Sequence, residues 1–312
     1  MLERQEKQPP RTQVPSYVKK ESNPNSEATH MDVIGSIHEM QSLSDSLRQQ
    51  GKRIAFVPTM GFLHDGHLSL MREAKKHADI LVTSIFVNPA QFGPNEDLDA
   101  YPRAMESDLA KSRDAGVDVV FTPTSDQIYP KGYETYVQLE TLPNHLCGLS
   151  RPVFFKGITT VVTKLFHIVK PHVAVFGEKD FQQLAIIRRM VKDLNMDIEI
   201  IGGTLIREAD GLAMSSRNAY LSEGERIEAL RLSQSLSKAR EMIAAGETQA
   251  KAIKAMTETH LSGCPDMTID YISLCDPETL DEVETVTSPT LMALAVMLGK
   301  TRLIDNTVLV PQ

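Results

Sequence analysis

Four short segments of the chain hold most of the side chains that could grip or neutralise an anion. In Pro58-Thr59-Met60-Gly61-Phe62-Leu63-His64-Asp65-Gly66-His67, two imidazoles stand three residues apart, just after an apolar run. If a helix begins there, both rings sit at its amino terminus, where exposed N–H groups and the helix dipole favour negative charge. Gly61 and Gly66 let backbone approach a ligand closely. The competing reading of two histidines is zinc, but no third ligand stands at a usual spacing. A single histidine in a turn is more often structural; the glycines and the second imidazole reverse that preference here.

In Phe86-Val87-Asn88-Pro89-Ala90-Gln91-Phe92-Gly93, the amides of Asn88 and Gln91 could orient a small polar substrate without adding charge, although alone the segment reads as a proline turn. In Phe176-Gly177-Glu178-Lys179-Asp180-Phe181-Gln182-Gln183, Lys179 is a point charge suited to a phosphate and Asp180 an acceptor for sugar hydroxyls. A capped helix start with a surface charge pair explains that segment about equally well in isolation. The fourth segment, Arg207-Glu208-Ala209-Asp210-Gly211-Leu212-Ala213-Met214-Ser215-Ser216-Arg217-Asn218, places two hydroxyls and a guanidinium fork side by side, as the outer phosphates of a triphosphate require.

The elements that must position these groups follow from apolar periodicity. Ile54–Val57, Ile80–Val87, Val117–Phe121, Val173–Phe176 and Ile198–Ile201 read as buried strands. Leu68, Met71, Ala74 and Ala78 fall on one helical face, and helices are expected near Glu106–Ala115 and Gln182–Leu194. Strands alternating with helices predict a Rossmann-like α/β fold, a doubly wound parallel sheet covered on both faces, over residues 31–205. Ligands of such sheets bind outside the strands' carboxyl ends, where the first three segments lie. Residues 206–312 read as a smaller α+β domain: helices over Ser222–Ala245 and Thr248–Leu261, then strands over Ile269–Leu274, Leu291–Leu298 and Ile304–Val310. Residues 1–30 are polar and proline-containing and are expected to be a disordered leader.

The HxGH of His64 to His67 resembles the nucleotide-binding motif of class I aminoacyl-tRNA synthetases and related nucleotidyltransferases. The Ser215-Ser216-Arg217 loop resembles a variant of the KMSKS loop that partners it. All four segments together, with Asp99-Ala100-Tyr101-Pro102-Arg103, Ser150-Arg151-Pro152 and Leu298-Gly299-Lys300-Thr301-Arg302-Leu303-Ile304-Asp305-Asn306, resemble the pantoate–β-alanine ligase family from about residue 31 to the end. Two features depart from the family pattern: the leader, and Phe154 where many members carry histidine.

The resemblance implies an ATP-dependent ligase that makes pantoyl adenylate and then transfers the acyl group to β-alanine, with Mg²⁺ accompanying ATP. It implies ATP binding by Met60, Gly61, His64, Gly66, His67, Gly177, Glu178, Lys179, Asp180, Ile206, Met214, Ser215, Ser216 and Arg217. His64, His67 and Lys179 would carry the catalytic burden. Gln91, Gln183 and Asn88 would hold pantoate or β-alanine, with Met60 and Phe176 as an apolar wall. No metal-binding side chain is implied, and a homodimer is expected.

Composition agrees with that class. The net charge of −8 argues against nucleic acid and means that an anionic substrate must be held by local bases. Three widely spaced cysteines (Cys147, Cys264 and Cys275) fit unpaired thiols in a reducing cytoplasm. No apolar run approaches the roughly 20 residues that a membrane span needs.

Overall fold

The computed structural model describes residues 30–94 and 96–311; the expected leader lies almost wholly outside the described residues. The first half of the chain alternates strand and helix: β1 (Asp32–Ile34), α1 (Ile37–Gln49), β2 (Ile54–Thr59), α2 (Asp65–Lys75), β3 (Ile80–Ile85), α3 (Met105–Asp114) and β4 (Val119–Phe121). Two single turns, α4 (Ser125–Ile128) and α5 (Cys147–Ser150), lead to α6 (Phe154–Val169), β5 (Val173–Gly177), α7 (Phe181–Asp193) and β6 (Glu199–Gly203). The six strands form one sheet in the order β1-β4-β3-β2-β5-β6, parallel at every pairing.

Alternation along β2 shows how the sheet is covered. Ile54 and Phe56 join the core that α6 and α7 supply, whereas Ala55 and Val57 join Leu68, Met71 and Ala74 of α2 on the other face. Both faces are buried, so the strands read as continuous apolar runs. The chain leaves β2 toward β3 on one side and comes back to β5 on the other. The crevice between the carboxyl ends of β2 and β5 is therefore the topological switch point at which such sheets bind ligands.

The second half supplies α8 (Glu223–Ala229), α9 (Arg231–Ala244) and α10 (Ala250–Leu261), then an antiparallel sheet of β7 (Met267–Cys275), β8 (Thr290–Leu298) and β9 (Thr301–Leu309). Met292, Leu294, Val296 and Leu298 of β8 pack against α9 and α10, while Leu291 and Ala293 enter the core of the large sheet. The small sheet is thus fixed to the large one through apolar contact.

Three features differ from the sequence reading. The helix expected over Ser222–Ala245 is two helices meeting at a tight turn at Leu230, beyond which Arg231 donates to Glu228 at 2.5 Å and to the carbonyl of His260 at 3.0 Å. β1 and α1 extend the fold at its amino-terminal end and have no counterpart in the sequence reading. α6 has none either: its run of β-branched residues, Ile158-Thr159-Thr160-Val161-Val162, reads as strand-like in isolation, and packing against the sheet overrides that propensity. Its hydroxyls are satisfied inside: Thr159 donates to the carbonyl of Val137 at 2.6 Å, and Thr160 accepts from the Val137 N–H at 3.0 Å.

Candidate active site

A cavity of about 1420 Å³ opens at the switch point and extends under the small sheet. β2 enters it through the turn Met60–Leu63, which has an unusual backbone: Gly61 has φ +83° and Phe62 φ +50°. Asp108 of α3, 1% exposed, holds that turn by accepting from the N–H groups of Phe62 at 2.8 Å and Leu63 at 2.7 Å. A side chain at Gly61 would meet the Asp108 carboxylate and Ile85 at 3.0 Å, so glycine is required there for both dihedral and space. Asp108 escaped the sequence reading because it looks like one more charge on a polar helix. The only local cue was its place in a predicted helix following the second strand.

α2 starts at Asp65, and His64 and His67 stack across its first turn with ring centroids 4.0 Å apart. A β-carbon at Gly66 would stand 2.9 Å from the His64 ring, so this glycine makes room for the imidazole. The His64 N–H donates to Nδ1 of His67 at 3.4 Å, which places the proton of a neutral His67 ring on Nε2. Burial, and then the charge of Lys179, lower the pKa of His64 to about 4. Burial, His64, Lys179 and Lys111 hold His67 well below the ordinary imidazole range. At neutral pH the pair therefore presents N–H donors and no positive charge.

This has a measurable consequence. In the ligand-free protein neither ring is expected to titrate between pH 8 and 5.5, and His67 is expected as the Nε2–H tautomer in long-range ¹H–¹⁵N spectra. A titration midpoint near 6.5 for either ring would contradict the geometry. Between pH 6.5 and about 4 the unfolded chain takes up protons that folded His64 refuses, so its burial costs stability as pH falls through that window.

The other walls come from distant parts of the chain. Phe176, Gly177, Lys179, Asp180 and Gln183 line the cavity at the end of β5, and Ile206, Met214, Ser215, Ser216 and Arg217 close it from the loop after β6. Ser216 Oγ donates to the carbonyl of Phe62 at 3.3 Å, so this loop touches the histidine turn directly. Among the five Lys and Arg side chains that line the cavity, Arg151, Arg217 and Arg302 are held by Glu96, Asp97 and Asp270. Lys179 and Lys300 form no ion pair among the described residues. Cys147 also lines the wall, but burial pushes its thiol up to about 11, which leaves it a poor nucleophile.

The amides sort into two roles. Gln91 faces the cavity, with Nε2 toward the Met60 sulfur at 3.2 Å. Asn88 spends its whole amide inside the protein: Nδ2 donates to Gln91 Oε1 at 3.0 Å and the Gly157 carbonyl at 3.2 Å, while Oδ1 accepts from Tyr129 at 2.7 Å and the Ala90 N–H at 3.3 Å. Asn88 therefore sets the orientation of Gln91. Gln182 is likewise consumed, bridging Cys147, Leu142 and His145, which leaves Gln183 as the glutamine of α7 that lines the cavity. Among the residues expected at the site, Gly61 and Glu178 do not line the cavity; both belong to the backbone that carries their neighbours.

A parallel doubly wound sheet with paired HxGH imidazoles and a Ser-Ser-Arg loop at its switch point defines a nucleotide-using enzyme of the HxGH class. The family model for pantoate-beta-alanine ligase matches residues 32–308, and the chain belongs to that family of ligases. It is 59% identical over 281 residues to the pantothenate synthetase of Desulfatibacillum aliphaticivorans, covering 90% of this chain and 100% of the relative. With that of Geobacter sulfurreducens it shares 56% over 279 residues, covering 89% and 99%. The crystal structure of the Thermus thermophilus enzyme superposes with a TM-score of 0.86 at 41% identity, over 90% of this chain and 100% of that one. The Francisella tularensis pantoate-beta-alanine ligase, complexed with beta-gamma ATP and beta-alanine, gives 0.74 at 33% identity over 89% and 97%.

Proposed function

We propose the following division of labour for the condensation of pantoate with β-alanine at the expense of ATP. It is carried by one observation: His64, His67, Lys179 and the Ser215-Ser216-Arg217 loop, from three separate chain segments, meet on one cavity. In the first step the pantoate carboxylate oxygen bonds to the α-phosphorus while the bond to the β-phosphate oxygen breaks, giving pantoyl adenylate and pyrophosphate. In the second, β-alanine sheds one proton from its ammonium and the free amine nitrogen bonds to the acyl carbon. The bond from that carbon to the AMP phosphate oxygen breaks, and the nitrogen loses a second proton as the amide forms. Neither step needs a covalent enzyme nucleophile; both need in-line positioning and stabilisation of charge.

Lys179 neutralises the α-phosphate, and His64 and His67 donate to the departing pyrophosphate. Ser215, Ser216 and Arg217 grip the outer phosphates. Gly177 and Asp180 hold the ribose, and Ile206 and Met214 flank the adenosine. Gln91, aimed by Asn88, and Gln183 hold the pantoate oxygens against an apolar wall of Met60 and Phe176, with β-alanine beside Gln91. The small sheet with its helices, residues 206–312, serves as a lid over residues 31–205.

The donor set fits Mg²⁺ arriving with the nucleotide. Among the described residues no three His, Cys, Asp or Glu side chains cluster, but Asp97 and Asp180 line the wall, and Mg²⁺ takes most of its ligands from phosphates and water. When bound, it would screen the triphosphate charge.

Pyrophosphate and AMP release with ATP, Mg²⁺ and D-pantoate, with and without β-alanine, tests the reading. Sustained AMP formation only when β-alanine is present is expected; nucleotide binding without turnover would overturn it. Gln183→Ala is expected to raise the KM for pantoate, and a rise confined to ATP would contradict its role. We also propose a homodimer, to be checked by light scattering, and a cytoplasmic setting consistent with three free, buried cysteines. No helix among the described residues is long and apolar enough to cross a membrane.

A further inference from the structure

The segment Leu298–Asn306 belongs to the pattern that links this chain to its family, yet its last two residues take no part in the steps above. They lie on β9, in the small sheet. Asp305, 2% exposed, accepts from both terminal nitrogens of Arg207, at 2.6 and 2.9 Å. Arg207 also donates to the carbonyl of Gly211 at 3.1 Å and pairs with Ala213, closing the turn from which Met214, Ser215, Ser216 and Arg217 emerge. Asn306 reaches a different loop: its Nδ2 donates to the carbonyls of Glu178 at 3.0 Å and Lys179 at 2.8 Å. The Asn306 N–H donates to Asp305 Oδ1 at 2.8 Å, which ties the two anchors together.

One dipeptide of the small sheet thus holds both phosphate-facing loops, although these leave opposite ends of the helix–strand unit Phe181–Gly203. The carbonyls that Asn306 binds lie in the short helical turn Glu178–Asp180, whose backbone fixes the origin of the flexible Lys179 stem. We propose that Asn306 is a positioning residue that acts through Lys179, and that Asp305 and Asn306 together set the register of the Lys179 turn against the Ser-Ser-Arg loop. The proposal rests on the role given above to Lys179. It makes the small sheet part of the catalytic geometry as well as a cover.

The test is a double-mutant cycle on adenylate formation, read as pantoate-dependent exchange of pyrophosphate into ATP, with wild type, Asn306→Ala, Lys179→Ala and the double variant. Asn306→Ala is expected to lower kcat roughly tenfold, because a misplacement of about 1 Å can cost up to ~10²-fold, while the KM for pantoate stays nearly unchanged. In the Lys179→Ala background the same substitution should have almost no further effect, because the group through which it acts is gone. Asn306→Ser, which keeps one donor, should fall between wild type and Asn306→Ala, and it carries the cycle if the alanine variant does not fold. An equal loss in both backgrounds would mean general loosening and would overturn the proposal, as would undiminished exchange by Asn306→Ala in otherwise wild-type protein. Undiminished exchange by Lys179→Ala alone would instead remove the role of Lys179, and the strut with it.

Discussion

Lys179→Ala is expected to lower adenylate formation by roughly 10²–10³, the usual loss for one electrostatic donor aimed at charge that develops in a transition state. The expectation follows from how the other cavity bases are used. Arg151, Arg217 and Arg302 are each bound to a carboxylate, so their positive charge is largely offset within the protein. Lys179 has no such partner among the described residues, and its field reaches both imidazoles strongly enough to lower their pKa values. A unit charge about 4 Å from a phosphate oxygen contributes on the order of 4 kcal/mol at the effective dielectric of a protein surface, which matches a loss of that size. With a net charge of −8, nothing in the global field replaces it. The same substitution removes a charge that depresses His64, so the His64 titration should move upward from about 4. Lys179→Arg should restore only part of the rate, because a planar fork does not place its charge where a compact ammonium does. Turnover retained by Lys179→Ala would remove this residue from the mechanism.

His67→Ala is expected to cost a similar factor, roughly 10²–10³ in kcat, for a different reason. Its ring is held neutral by burial, by His64 and by two lysines, and its Nδ1 accepts from the His64 N–H, so the cavity is offered an Nε2–H donor. A neutral imidazole N–H donates a hydrogen bond readily and gives up its proton poorly. His67→Asn keeps a donor that cannot protonate the leaving group, and it should therefore recover a large part of what His67→Ala loses. If the asparagine variant is as slow as the alanine variant, proton transfer is required and hydrogen bonding alone is not sufficient. Tight ATP binding with undiminished turnover in His67→Ala would remove His67 from the chemistry altogether.

Much of the site is readable along the chain because three of its four segments are local consequences of one rule. In a doubly wound sheet each buried strand ends in a loop on the ligand face, so apolar runs followed by glycine, proline or a charged turn mark that face. β2, β3 and β5 deliver Met60–His67, Asn88–Gln91 and Gly177–Asp180 to it. The extents are less legible: β2 and β5 run one or two residues beyond the expected ends, and the long helix after Ser222 breaks at Leu230. α6 shows why some elements are hard to read, since its β-branched run from Ile158 to Val162 has a strand-like propensity that only packing against the sheet overrides.

The residue types, their spacing and the alternation of strand and helix are properties of the chain, and they suffice for the fold class, the glycine- and histidine-bearing turn after β2 and the list of polar groups that could meet a triphosphate. Which of those groups face the cavity is decided by contacts between residues far apart in sequence. Asp108 holds a turn 45 residues upstream, Tyr129 occupies the Asn88 carbonyl from 41 residues away, and Asn306 binds the Lys179 turn across 127. Each partner is an ordinary polar residue until the fold draws it wholly or partly out of water, and only that desolvation makes an unpaired carbonyl or N–H costly enough to fix a unique partner. For the same reason the neutrality of His64 and His67 belongs to the tertiary structure: the imidazoles are written in the sequence, but the desolvation and the neighbouring Lys179 charge that lower their pKa values exist only once the chain has folded.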